Sequence, residues 1–224
     1  MKRFLLQAAA CSIALGLGSG PVLSADMSTA PSYDWTGFYA GVTAGYGWGD
    51  YQQDDNGGGG TQSFDMDGFV GGGTLGYNSQ LESVVLGIET DFSISDINGS
   101  NDSYPGWICN GVNACSNDVD WFGTVRARIG LPMDQFLPYI TGGLAIAEVD
   151  SGDSPVDGGV FTRFDKVQLG WTIGGGLEAA VTENLSVKAE VLYVDLGDVK
   201  AGNAVGFHVE NDFTVARVGV NWNF

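Results

Sequence analysis

Three groups of residues in this chain have chemistry to offer. The first is the only histidine, His208, set in GFHVEND beside Glu210 and Asp212. As a catalytic base it would need a nucleophile and an orienting carboxylate within reach, and no Gly-x-Ser-x-Gly or comparable frame accompanies it. It could act as an axial haem ligand, but the polar setting favours a solvated loop histidine. The second group is the carboxylates crowded between apolar segments, among them Asp50, Asp54, Asp55 and Asp65. They read as a solvated, mutually repelling face. Hard divalent cations could bridge them to lipopolysaccharide phosphates, but no EF-hand spacing occurs and no metal site or cofactor is assigned. GGGG at 57–60 lacks a strand-to-helix frame and a following Lys-Ser/Thr, so it is a loop tip and not a phosphate cradle. The third group consists of charges spaced two apart inside apolar segments: Glu89 and Asp91, Arg126 and Arg128, Lys188 and Glu190, joined by Glu178 and Arg217. Four acids against four bases can neutralise one another, or they can line and gate a narrow pore.

The ends and the composition say what must position them. Lys2 and Arg3 precede a largely apolar stretch from Phe4 to Leu17, and small residues around Ser24 and Ala25 offer a cleavage site. Residues 1–25 therefore read as a secretory signal, 26–34 as a short periplasmic leader and 35–224 as one domain. Cys11 lies within the apolar stretch without a lipobox, so no lipid anchor is expected. Beyond the signal no run of about 18 apolar residues survives, which excludes a helical membrane protein. The 224 residues carry 9 basic and 27 acidic side chains, a net of −18; loss of Lys2 and Arg3 makes it −20. That balance repels nucleic-acid phosphates. With Cys11 removed, Cys109 and Cys115 remain in CNGVNAC, an even pair in an oxidising compartment. A disulfide is expected, worth at most about 2 kcal/mol on the loop-entropy argument; two free thiols or a partial zinc site are the alternatives.

Period-two alternation broken by turn residues picks out eight segments: 36–49, 67–79, 83–95, 119–131, 137–150, 166–181, 185–197 and 212–224. Each is long enough for a tilted membrane strand of about 9–11 residues. Connections near 80–82, 132–136 and 182–184 are tight; those at 50–66, 96–118, 151–165 and 198–211 are long, polar and rich in Gly, Asp and Asn. The expected fold is all-β: an eight-stranded antiparallel up-and-down transmembrane barrel with short periplasmic turns and long extracellular loops. In the last segment, Val218, Val220, Trp222 and Phe224 share one face. That apolar alternation ending on Phe is the pattern expected of a final strand read by the barrel assembly machinery.

Alternation leaves open which face is enclosed, and residue content decides it. One face carries Phe38, Val42, Tyr46 and Trp48, then Leu86, Ile88 and Phe92, Trp121, Val125 and Ile129, and so on around the chain. From Phe38 to Trp48 is roughly 25 Å after tilting, the height of an outer-membrane apolar band. The other face holds the eight charges among glycines and threonines such as Gly41, Gly45, Gly72, Gly76, Thr43 and Thr124. A small barrel has room inside for side chains but not for a wide channel. Enclosed charges need partners, so the reading is a plugged, ion-paired lumen.

The strings DWTGFYAGVTAGYGWG (34–49), GFVGGGTLGYNSQ (68–80), LGIETDFS (86–93), DWFGTVRARIGL (120–131), LPYITGGLA (137–145), GWTIGGGLE (170–178) and LSVKAEVLYVDLG (185–197), with the ending at Phe224, resemble the RopB-type family of small alphaproteobacterial outer-membrane barrels. The resemblance runs from about Asp34 onward and weakens in the long connections. It implies an abundant surface barrel important for envelope integrity; some relatives are surface antigens and some bind haemin. The expected function is structural, in the outer membrane, without catalysis. Expected partners are outer-membrane lipid and lipopolysaccharide, the assembly machinery and a possible extracellular ligand. The alternatives are a loop-borne binding module, for haemin or a surface ligand, and a small diffusion pore.

Overall fold

The alternation is realised as eight strands joined in chain order. A computed structural model describes the backbone of residues 33–55, 60–101, 115–153, 162–201 and 207–224, and side chains at 33–50, 63–100, 117–149, 167–197 and 212–224. The strands are β1 (Gly37–Asp55), β2 (Gly60–Leu81), β3 (Val84–Asn101), β4 (Cys115–Gly130), β5 (Phe136–Asp153), β6 (Thr162–Ala180), β7 (Leu185–Ala201) and β8 (Phe207–Asn223). Each pairs antiparallel with the next, and β1 closes on β8 from Tyr39↔Asn223 to Asp55↔Phe207. No edge strand is left open to another chain. Paired residues followed once around the cylinder leave β5 at Pro138 and return to it at Glu148, ten residues further along. For eight strands such a stagger tilts each by roughly 40° and leaves an interior that side chains fill.

The apolar face looks outward. Phe38, Val42, Phe69, Ile140, Leu144 and Leu169 are all at least 65 % exposed. So continuous an apolar surface has no place in water, and it girdles the whole barrel. Aromatic pairs mark its two rims. Phe38 meets Tyr77 near the short turns, while Tyr46 with Phe69, Phe92 with Trp121 and Trp171 with Tyr193 lie towards the long hairpins. Two of these aromatics also donate to carboxylates, Tyr46 Oη to Asp67 and Trp121 Nε1 to Glu148. No helix among the described residues is long and apolar enough to cross a membrane; strands do so here.

Tight turns close the near rim. Glu82 and Asp134 take positive φ there, Met133 and Phe136 exchange backbone hydrogen bonds, and the Leu185 amide donates to Thr182 Oγ1. At the far rim the structure corrects the sequence reading. Segments taken as loops continue as paired strands, down to Asp55↔Gly60 between β1 and β2 and Asp153↔Thr162 between β5 and β6. In these stretches, as in Asp50–Asp55 and Gly60–Asp65, the sequence carries no sustained apolar alternation although the hydrogen-bonded ladder continues. Among the described residues the ladders carry three register shifts, one of them between Ile94 and Ile97 where β3 meets β4; the other two are bulges in β4 and β7. One, at Asp120 in β4, turns Val119 inward, where strict alternation from Trp121 would place it outside. The other, at Leu196–Gly197 in β7, needs Gly197 at φ +69°, and its amide donates to Asp195 Oδ1 at 2.7 Å. A glycine adopts that backbone without the Cβ clash other residues suffer.

Candidate functional site

Cross-strand pairing places the charges as direct neighbours before any side chain is considered: Glu89 faces Arg126, Glu178 faces Lys188 and Glu190 faces Arg217. All eight lumenal charges named from the sequence are brought together, each no more than 5 % exposed. Arg126 bridges three carboxylates, with Nη1 at 2.9 Å from Glu190, Nη2 at 2.9 Å from Asp91, and a further bond to Glu89. Arg217 donates from Nε to Glu190 at 2.8 Å and from Nη1 to Asp91 at 3.0 Å. Lys188 reaches past its strand neighbour to Glu89 at 2.8 Å, and Arg128 holds Glu178 at 2.8 Å. Glu178 also accepts from Ser186 at 2.6 Å and Asn221 at 2.8 Å. The set is electrically neutral and each of its four carboxylates accepts from three residues, which is what makes enclosed charges tolerable, although Arg128 Nε is buried without a hydrogen-bond partner.

Two tyrosines complete the layer and were missed. Tyr39 Oη donates to Glu89 at 2.7 Å and Tyr139 Oη to Glu190 at 3.0 Å. The Arg128 guanidinium stacks 4.0 Å from the Tyr139 ring centroid and 5.8 Å from that of Tyr39. Their signal was available, since Tyr39 shares the parity of Gly41 and Thr43. Room comes from inward glycines. A Cβ on Gly76 would run into the Tyr39 ring, whereas one on outward Gly71 would meet nothing nearer than 3.9 Å.

The charges occupy one layer of a three-layer lumen. Above it, towards the long hairpins, Met66, Val70, Ile97, Phe122, Leu196, Phe213 and their neighbours form a buried apolar cluster, with the Phe122 and Phe213 rings 5.4 Å apart. Below it, Trp35, Val85 and Leu137 pack together, with Tyr33 edge-on to Trp35 at 4.7 Å. The Trp35 amide donates to Gln80 Oε1 at 3.0 Å and Tyr33 Oη to the Glu183 carbonyl at 3.3 Å, tying this stopper to the rim. Burial, then the negative charges of Glu178 and Asp34, push the Tyr33 phenol above its ordinary range. The sequence reading anticipated a lumen plugged by charge; the apolar layers on either side are new.

Val218, Val220, Trp222 and Phe224 all face outward on β8 or just past it. Cys109 lies outside the described residues. Cys115 opens β4, but its side chain, like that of His208 opposite Lys200 and Asp54, also lies outside them. Among the described residues no group of three His, Cys, Asp or Glu side chains is placed to hold a metal ion.

A closed eight-stranded barrel with an apolar girdle, aromatic rims and an enclosed neutral charge layer is an integral outer-membrane protein of bacteria. The chain matches the outer membrane protein beta-barrel domain over residues 13–224 and belongs to that family. It is 35 % identical to the 31 kDa outer-membrane immunogenic protein of Brucella melitensis biotype 1, covering 100 % of both chains. It is also 34 % identical to the 22 kDa outer membrane protein of Rhizobium leguminosarum bv. viciae, over 74 % of this chain and 66 % of that one. Among solved structures, the outer membrane protease OmpT of Escherichia coli superposes with a TM-score of 0.56 at 12 % identity, covering 88 % of this chain and 99 % of that one. At that identity the likeness is one of fold.

Proposed function

We propose that this protein is a structural, surface-exposed barrel that contributes to envelope integrity and performs no catalysis. The observation that carries the reading is the three-layer lumen. Apolar clusters stopper both sides of a charge layer whose members already neutralise one another, so the interior is built for rigidity and offers no path to a solute. Removing the chain from its cell should raise sensitivity to detergents and large antibiotics, and restoring it with a lumen-intact variant should reverse this. Wild-type permeability in the deletion strain would overturn the reading. The outward ridge of Val218, Val220, Trp222 and Phe224 serves as the element engaged by the assembly machinery, and Phe224→Ala should lower the amount of folded barrel in the membrane. The relatives' name, outer-membrane immunogenic protein, supports exposure of the long hairpins at the cell surface. The pore alternative would need the lumen to open, which steady conductance of the pure protein in planar bilayers would reveal.

A further inference from the structure

Four short polar side chains on neighbouring strands each keep a polar atom that bonds to nothing in the protein. Ser93 on β3, Thr74 on β2, Thr43 on β1 and Asn221 on β8 face the lumen and are at most 6 % exposed. The atoms without a hydrogen-bond partner are Ser93 Oγ, Thr74 Oγ1, Thr43 Oγ1 and Asn221 Oδ1. In Asn221 the free atom is the carbonyl oxygen, because Nδ2 donates to Glu178 at 2.8 Å. Burying such groups unpaired is costly, so four together on one wall ask for a shared partner.

The register sets them in a zigzag. Ser93 pairs with Gly72, two residues from Thr74; Thr74 pairs with Gly41, two residues from Thr43; Thr43 pairs with Gly219, two residues from Asn221. Each is the diagonal neighbour of the next, about 7–8 Å away on the sheet, too far for side chains this short to meet directly. The positions between them are glycines, and the polar side chains lean over these. A Cβ on Gly72 would come 2.7 Å from Ser93 Oγ, and one on Gly41 would run into Asn221 Oδ1. Asp91 pairs with Thr74 and Lys188 with Gly219, so the zigzag runs beside the charge layer.

We propose that this zigzag is a binding site for a chain of ordered water molecules, one bridging each pair of successive side chains. The span suits water, since two hydrogen bonds through one oxygen cover about 5.5 Å where a direct bond covers about 2.8 Å. The chemistry selects it as well. The eight charges alongside already balance, so an ion of either sign would leave a net charge enclosed. Water is neutral, donates to Asn221 Oδ1, and either donates to or accepts from the three hydroxyls. A buried water needs two to four polar partners, and successive members of the zigzag supply them. The apolar clusters on either side keep the chain enclosed, so it hydrates the charge layer without opening a path through it.

The test uses the isotope-labelled full barrel in lipid nanodiscs. Nuclear Overhauser spectroscopy should show long-resident water at the methyl groups of Thr43 and Thr74 and at the side-chain amide of Asn221. Thr74→Val keeps the shape of the side chain and removes the central hydroxyl. It should weaken the water signal at Thr43 and lower the folded-to-unfolded ratio about fivefold, the loss of one net hydrogen bond. Urea unfolding in lipid vesicles reads that ratio, and Thr43→Val takes its place if Thr74→Val fails to show heat-modifiable migration. Absence of the water signals in the wild type overturns the proposal. So does a ratio that is unchanged or raised in the valine variant, the outcome for a hydroxyl sealed in dry. Resonances of these groups that titrate with chloride or potassium overturn it in favour of a bound ion.

Discussion

Replacing Arg126 with Met tests the lumen most directly. The guanidinium touches Glu89, Asp91 and Glu190 and is 1 % exposed, so no water replaces it when it goes. The substitution leaves four carboxylates against three cations in a sealed layer. Removing one partner of an enclosed ion pair costs about 3–5 kcal/mol, because the other charge stays buried without compensation. A loss of that size lowers the folded-to-unfolded ratio by two to nearly four powers of ten, at about 1.4 kcal/mol per decade. Urea unfolding in lipid vesicles, followed by tryptophan fluorescence and by the shift of unboiled protein on gels, measures it. Val125→Ala, one residue away on the lipid face, supplies the control and should cost far less. Adding Glu190→Gln to Arg126→Met restores the charge balance and should return part of the loss, giving a coupling of about 0.5–3 kcal/mol between the two sites. A loss under 1 kcal/mol for Arg126→Met alone, or strict additivity in the double variant, would refute the view that this layer is a mutually neutralising network.

Three further outcomes follow from the same geometry. Gly76→Val should block folding because its Cβ would enter the Tyr39 ring, while Gly71→Ala should fold normally; heat-modifiable migration of the two variants decides. Trp35→Ala empties the lower stopper and should cost about 3–5 kcal/mol, the usual range for truncating a buried tryptophan, read as a lower urea midpoint. Gly197→Val forces a β-branched residue into positive φ and should cost about 1–3 kcal/mol, whereas Gly197→Asn, which tolerates that backbone better, should cost less in the same assay.

The parity of the membrane segments was fully legible. Phe38, Val42 and Tyr46 alternate with Tyr39, Gly41 and Thr43, and only one assignment encloses the charges, so barrel, lipid face and lumen followed from period two. The upper ends were not. Asp50–Asp55 pairs with Gly60–Asp65, but Tyr51 and Phe64 stand isolated there among Asp, Gln, Thr and Ser, so the sequence shows no sustained alternation. Val119 was hidden for another reason, since the bulge at Asp120 reverses parity without any glycine or proline to announce it.

The sequence by itself determined that eight strands would close on themselves with Glu89, Asp91, Glu178 and Glu190 enclosed alongside Arg126, Arg128, Lys188 and Arg217. It did so because side-chain direction along a strand is a local property with a fixed period. Only the tertiary structure decided who pairs with whom. Lys188 sits beside Glu178 in the ladder yet bonds Glu89 across the lumen. Partner choice there depends on the ten-residue stagger, which sets the height of every strand relative to those opposite. The same stagger stacks Phe213 and Ile97 over the charges and seats Trp35 beneath them, and no local pattern encodes it, because it is a property of the closed ring.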